Sequence, residues 1–458
     1  MQSPANDAHA TLRYRSITRA NVHSLPEWDW LDAEQRRAIE VVSAVLPFKT
    51  NTYVVRELID WRRVPDDPMF QLTFVQPGML EPADFARVAE VIDRGASKAE
   101  IKATADAIRL RLNPHPAGQR THNVPTLAGR RLDGMQHKYR ETVLFFPGQG
   151  QTCHAYCTFC FRWAQFVGLG DMKFEAKQTE DLVAYLRAHP EVRDVLITGG
   201  DPMVMKTTAL RRYLEPLLAP EFEHLNLRIG TKSVAYWPHR YLSDPDADEL
   251  LRLFERITAS GRHLALMGHY NHPRELQTEV ARRAIARIRS TGAQIRMQSP
   301  LIRHINDDAD AWAELWRTGV KLGCVPYYMF IERDTGPKNY FEVPLVRAWE
   351  IFRDAYKQVS GLARTVRGPS MSAFPGKVAI DGVTEIAGEK VFALQFLQAR
   401  DPEWVRRPFY AKFDPNAVWL SDLVPAFGRD KFFYEASAGQ PGRSSRTLGE
   451  PVRLDLLR

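Results

Sequence analysis

The sequence predicts an α/β protein whose parallel sheet curls toward a barrel, preceded by a mostly helical region and followed by a C-terminal extension. Two observations carry this. From about residue 140, short β-rich runs alternate with helical stretches six times, a pattern that builds parallel sheets from β–α units. Before that point, apolar residues recur at helical spacing. Barrels of this kind gather their functional groups at the C-terminal ends of the strands.

Residues 1–135 read as the helical region. Asp32-x-x-Gln35 is a capping signal, followed by Ala38, Val41, Val42 and Val45 on one helix face. Ser97-x-x-Glu100 repeats the signal, and Asn113-Pro114 ends the helix that it starts. Residues 136–358 carry the strands: 142–146, 194–200, 225–234, 263–271, 293–302 and 325–331, with helical segments such as 179–189 and 275–290 between them. Beyond about 360 an irregular chain is expected, so that residues 359–437 form a C-terminal region. Its stretch 400–435, rich in aromatics and arginine, reads as a packing or subunit-contact segment. Residues 438–458 are rich in Gly, Ser, Pro and Arg and predict a mobile tail.

Composition excludes several classes. With 44% hydrophobic and 26% charged residues over 458 positions, the chain is neither disordered nor fibrous. No apolar run approaches the roughly 18 residues of a membrane span, and the first twenty residues lack the apolar core of a secretory signal. A soluble cytoplasmic protein is expected. The formal charge of +7 is scattered; it suits acidic small molecules or nucleic acid. No basic run with interleaved aromatics favours nucleic acid.

Four cysteines are too few for a disulfide scaffold of this length. Three of them, Cys153, Cys157 and Cys160, fall within eight residues just past the first barrel strand. Thiolates so spaced can wrap one face of an iron–sulfur cubane, and three ligands in place of the usual four leave one iron open. A structural zinc would call for a second cysteine pair; Cys324 stands alone and reads as a buried thiol. His154 reads as a loop residue.

This CxxxCxxC spacing after the first strand of a β/α barrel resembles the radical S-adenosylmethionine (SAM) superfamily, whose fold is a partial (β/α)6 TIM-like barrel. The resemblance implies a [4Fe–4S] cluster on the three cysteines. It also implies SAM chelated at the open iron and cleaved to a 5′-deoxyadenosyl radical. Thr198-Gly199-Gly200-Asp201-Pro202 resembles the glycine-rich segment that contacts SAM, although Gly-Gly after a strand also serves close backbone approach.

Over roughly residues 28–380 the chain is similar to the lysine 2,3-aminomutases. The matching stretches are Trp28-Asp29-Trp30, Asp66-Asp67-Pro68, His137-Lys138-Tyr139, Arg228-Ile229-Gly230-Thr231, His269 to Pro273, Gln298-Ser299, Asn306-Asp307, Pro326-Tyr327-Tyr328 and Pro375-Gly376-Lys377. The resemblance implies an isomerase that uses pyridoxal 5′-phosphate (PLP) while an α-amino group migrates to the β-carbon. Lys377 is then the lysine that holds PLP, on a flexible turn, and Arg162 the grip on the substrate carboxylate. His269 and Gln298 line the SAM pocket with Gly199, Gly200 and Asp201. Where the family presents two arginines for the PLP phosphate, this chain has Lys138 and Thr142 with Arg140 between, so Lys138 and Arg140 are the candidates.

The departures lie at the far end of the substrate. The two aspartates that hold a lysine ammonium in the family are replaced by Arg333 and by Ser370, or by Arg367 if the alignment is gapped. An arginine repels an ammonium, so the expected substrate is an amino acid with an anionic or neutral distal group, glutamate- or aspartate-like. An electron donor such as flavodoxin or ferredoxin and a homo-oligomer are expected; nucleic acid and membrane are not. No cysteine follows Cys324, so no C-terminal zinc is expected. Two alternatives stay open: a radical SAM enzyme of this family that abstracts hydrogen without PLP, and a basic, metal-stabilised RNA- or protein-binding module.

Overall fold

The capping signals do what their sequences require. Asp32 accepts from the Gln35 backbone N–H at 2.8 Å, and helix Ala33–Val45 follows with Ala38, Val41, Val42 and Val45 buried. Ser97 caps Lys98–Leu112 in the same way, while Glu100 pairs with Arg94. The computed structural model describes residues 12–113, 123–168, 174–176 and 178–435; the tail expected over 438–458 lies outside them. Among the described residues no helix is long and apolar enough to cross a membrane.

The N-terminal region is not helical throughout. Strand β1 (Ser16–Thr18) pairs antiparallel with β2 (Lys49–Asn51), and a small hairpin joins β3 (Thr126–Leu127) to β4 (Arg130–Arg131).

One eleven-stranded sheet follows. Strand β5 (Met135–Tyr139) pairs antiparallel with β6 (Thr142–Phe145). Then β7 (Asp194–Ile197), β8 (Asn226–Thr231), β9 (Leu264–His269), β10 (Gln294–Leu301) and β11 (Val325–Ile331) continue in parallel, in sequence order. Helices including Thr179–Ala188, Ala247–Ala259, Glu279–Ser290 and Leu345–Lys357 form the crossovers, as parallel pairing demands. All six expected strand runs are present. The sheet does not stop there, and this corrects the irregular C-terminal region. Strand β12 (Arg367–Ser372) is a seventh parallel strand, and β13 (Gly376–Ile386), β14 (Glu389–Ala399) and β15 (Pro408–Lys412) add antiparallel ones.

Two sequence features hide this extension. Strand β12 reads RGPSMS and carries a single large apolar residue, Met371. The β13–β14 hairpin turns at Ala387-Gly388, both at positive φ (52° and 80°), a geometry usually signalled by Asn-Gly or Asp-Gly. The 400–435 segment packs on these strands: Phe396, Trp404, Phe409, Phe432 and Tyr434 share ring contacts.

Seven strand spacings of about 4.8 Å would hold β5 and β12 roughly 34 Å apart in a flat sheet. Instead the Lys138 ammonium on β5 donates to the carbonyl of Ala373, just past β12. The two flanks of the sheet therefore bend toward each other.

Candidate active site

The cysteine loop leaves the C-terminal end of β6 and is braced by the N-terminal region. Tyr156 N–H donates to Lys49 on β2 at 2.7 Å, and Thr158 N–H to Leu72 at 3.0 Å. The His154 carbonyl accepts from Tyr14 at 2.9 Å and Asn51 at 3.1 Å. His154 is buried, its imidazole pushed down to about 3 by desolvation.

Cys153, Cys157 and Cys160 are half-buried thiols. Burial raises all three, Cys157 to about 12. Cations lie beside each: Lys49 by Cys153, Arg162 by Cys160 and Cys153, and Lys232 by Cys157, which Glu275 also faces. Cys157 Sγ lies 3.2 Å from the Tyr236 hydroxyl. Three thiols with three facing cations form a donor set suited to an anionic thiolate cluster. Among the described residues, no three His, Cys, Asp or Glu side chains converge on one point as a single-ion site would need.

The loop after β7 lies flat against this segment. Asp201 N–H donates to the Thr152 carbonyl at 2.7 Å, and a Cβ on Gly200 would fall 2.4 Å from the same oxygen. Gly200 is thus required by the approach of two backbones. Asp201 turns inward. Its carboxylate accepts from the Thr231 hydroxyl at 2.7 Å and from the N–H groups of Met203 and Lys232, both at 2.9 Å. Burial lifts it to about 6. Its oxygens are committed to the loop and to the end of β8, and so position the loop.

His269 and Gln298, at the ends of β9 and β10, face each other with Nε2 atoms 2.9 Å apart. Burial pushes His269 down to about 3; the neutral ring accepts from the Gln298 amide. Beside them Lys232 donates to Glu275 at 2.5 Å, Asn271 at 2.9 Å and the His269 carbonyl at 3.2 Å. This charged knot was not foreseen, because 43 residues separate Lys232 from Glu275.

Lys377 stands on strand β13 beside Ser372 rather than on a turn; Phe374-Pro375 precedes the strand. Its ammonium donates to Gln398 at 3.1 Å and sits 4.0 Å above the Tyr328 ring. Enclosure pushes it down to about 7, reinforced by Arg367, Arg228 and Arg333. On the same ring lies Arg367, at 4.1 Å. The Tyr328 hydroxyl is buried without a hydrogen-bond partner among the described residues.

Arg162 and Arg333 flank one ring, each about 5 Å from Phe161 (5.1 and 5.0 Å). Enclosure lowers Arg162 to about 10, and Asp334 faces Arg333. Two expected contacts do not reach this mouth. Ser370 is fully buried, its hydroxyl directed at the Met329 carbonyl. Arg140 is exposed in the tight β5–β6 turn, at the opposite end of β6 from the cysteine loop. Lys138, two residues earlier, does reach it, facing Arg333, Arg400 and Lys377. Arg228 and Arg400 were not foreseen as site residues. Arg228 faces Lys377 from β8, within a matching stretch, but Arg400 follows β14, where no strand was expected.

No family model matches the chain. A protein of Aquifex aeolicus (strain VF5), provisionally named L-lysine 2,3-aminomutase, is 33% identical over 393 residues, 85% of this chain and 91% of that protein. The L-lysine 2,3-aminomutase of Escherichia coli (strain K12) is 29% identical over 55% of this chain and 69% of its own length. Among solved structures, a radical SAM methyltransferase from Sphaerobacter thermophilus aligns with 59% of this chain and 90% of its own, at a TM-score of 0.35 and 14% identity.

Proposed function

Because the chain belongs to the lysine 2,3-aminomutase family of radical SAM enzymes, we propose that it is a 2,3-aminomutase of an acidic amino acid. The family's cofactors are a [4Fe–4S] cluster, SAM and PLP. We read the curled sheet as the partial (β/α)6 barrel of the superfamily; the reach of Lys138 to Ala373 supports it.

In this reading Cys153, Cys157 and Cys160 hold the cluster, with an open iron for SAM. Lys49 and Arg162 offset part of the charge of three thiolates, while Lys232 is already paired with Glu275. Gly199 and Gly200, placed by Asp201, and the His269–Gln298 pair line the SAM side. The cluster supplies an electron for SAM cleavage, received from a donor such as flavodoxin or ferredoxin, and PLP supplies delocalisation for an unpaired electron. Lys377 carries PLP. Its amine is half neutral near pH 7, and only a neutral amine attacks an aldehyde.

Substrate choice follows from one observation: the charged groups that reinforce the depression of Lys377 are Arg367, Arg228 and Arg333, all cationic. A lysine ammonium placed among them is repelled, whereas a carboxylate gains charge-assisted bonds. Arg162 takes the α-carboxylate and Arg333, with Arg367, the distal one. Anaerobic turnover on a panel of amino acids tests this. The expected outcome is a β-amino product from glutamate or aspartate in preference to lysine. Conversion of lysine with both acids inert contradicts it.

A further inference from the structure

Two cations converge on consecutive carbonyls just before Lys377. Lys138, from β5, donates to the Ala373 carbonyl. Arg400, from the end of β14, donates through Nε to the Phe374 carbonyl at 2.9 Å and through Nη2 to Asn123 Oδ1 at 2.5 Å. Its guanidinium lies 4.4 Å from the Phe374 ring. Nε and Nη2 account for two of the five guanidinium N–H groups. The two groups face each other, and Arg333 and Lys377 also lie beside Lys138. Tyr139 is the acid that faces Arg400. Neutral carbonyls do not offset charge, and burial with Arg333, Arg400 and Lys377 alongside holds Lys138 well below an ordinary lysine, so an anion at the two groups would favour the charged form of both.

We propose that Arg400, contributed by the C-terminal extension, completes with Lys138 a phosphate-binding site that anchors PLP beside Lys377. The inference rests on the reading that PLP binds at Lys377. It explains how a chain lacking the expected arginines ahead of β6 still grips a dianion. The strand holding Thr142 is closed over, Thr142 itself being buried, and Arg140 points away. The missing cation comes from the opposite flank, across the mouth that the bent sheet brings together. A guanidinium suits the task, since its planar fork meets phosphate oxygens with two parallel bonds. The substrate carboxylates keep Arg162, Arg333 and Arg367.

The test compares PLP with pyridoxal, which has the aldehyde but no phosphate, in binding titrations of the full-length protein without substrate. Absorbance of the lysine-bound cofactor is the readout. Wild type is expected to bind PLP at least tenfold tighter than pyridoxal. Arg400→Met is expected to lose at least tenfold in PLP affinity while its pyridoxal affinity stays within about twofold, and Arg400→Lys to recover part of the loss. Lys138→Met is expected to show the same phosphate-selective loss. If Arg400→Met binds PLP as tightly as wild type, or loses both aldehydes equally, the assignment of Arg400 to the phosphate is overturned while Lys377 keeps its role. If wild type attaches neither aldehyde, the PLP reading itself fails and this inference with it.

Discussion

Lys377→Ala is expected to remove the visible absorbance of lysine-bound PLP and to lower turnover by more than about 10³-fold, as losing a covalent anchor and its positioning does. The fold should survive, because the side chain lies over Tyr328 at the mouth rather than in the core. The same residue carries a pH dependence. Its amine is pushed down to about 7, so below that pH it is protonated and unreactive toward an aldehyde. The rate of PLP attachment should therefore rise with pH through about 7 and level off above it. Arg367→Gln removes a cation that reinforces the depression and should move the midpoint upward. A midpoint near that of an ordinary lysine in the unmodified protein contradicts the enclosure described. Stopped-flow absorbance across pH measures both.

Arg333→Asp is the second large effect. Truncating or reversing one partner of an enclosed charge pair costs about 2–5 kcal/mol, equivalent to roughly 30- to several-thousand-fold in kcat/KM. For the acidic substrate kcat/KM is expected to fall by about 10²–10³-fold, with the ratio of lysine to glutamate turnover rising. Lys377 also bears on the result: with one surrounding cation gone, its amine becomes more basic, so attachment should shift upward in pH as with Arg367→Gln. A structural role for Arg333 would lower turnover of every amino acid alike and leave that ratio unmoved.

What the sequence made legible follows from the range of the interactions involved. Cys153, Cys157 and Cys160 stand out by spacing alone, since all three fall within eight residues. The strands from β6 to β11 are recognised because each is a local apolar run. Strand β12 escapes notice because a strand flanked by two others can be built of Arg, Gly, Pro and Ser when its neighbours supply the apolar contacts. The β13–β14 hairpin escapes because Ala387 adopts a left-handed conformation that alanine rarely signals. Arg140 and Lys138 look equivalent in sequence, and only the antiparallel turn separates the exposed one from the one that reaches the mouth. Arg400 lies 23 residues beyond Lys377 in the chain, and no local pattern joins them; β13 and β14 fold back antiparallel and bring the two ends together. Asp201 shows the converse. Its position beside two glycines marks it as a ligand contact, yet three hydrogen bonds from Thr231, Met203 and Lys232 direct it into the fold.

In the proposed site three half-buried thiols, with Lys49, Lys232 and Arg162 beside them, would hold a cluster with one iron left open. Anaerobic reconstitution with iron and sulfide, followed by EPR of the reduced protein with and without SAM, tests it most directly. The expected result is a [4Fe–4S] signal that changes shape when SAM is added and that is lost in Cys157→Ala. A protein that takes up only zinc, or a cluster whose signal is indifferent to SAM, contradicts it.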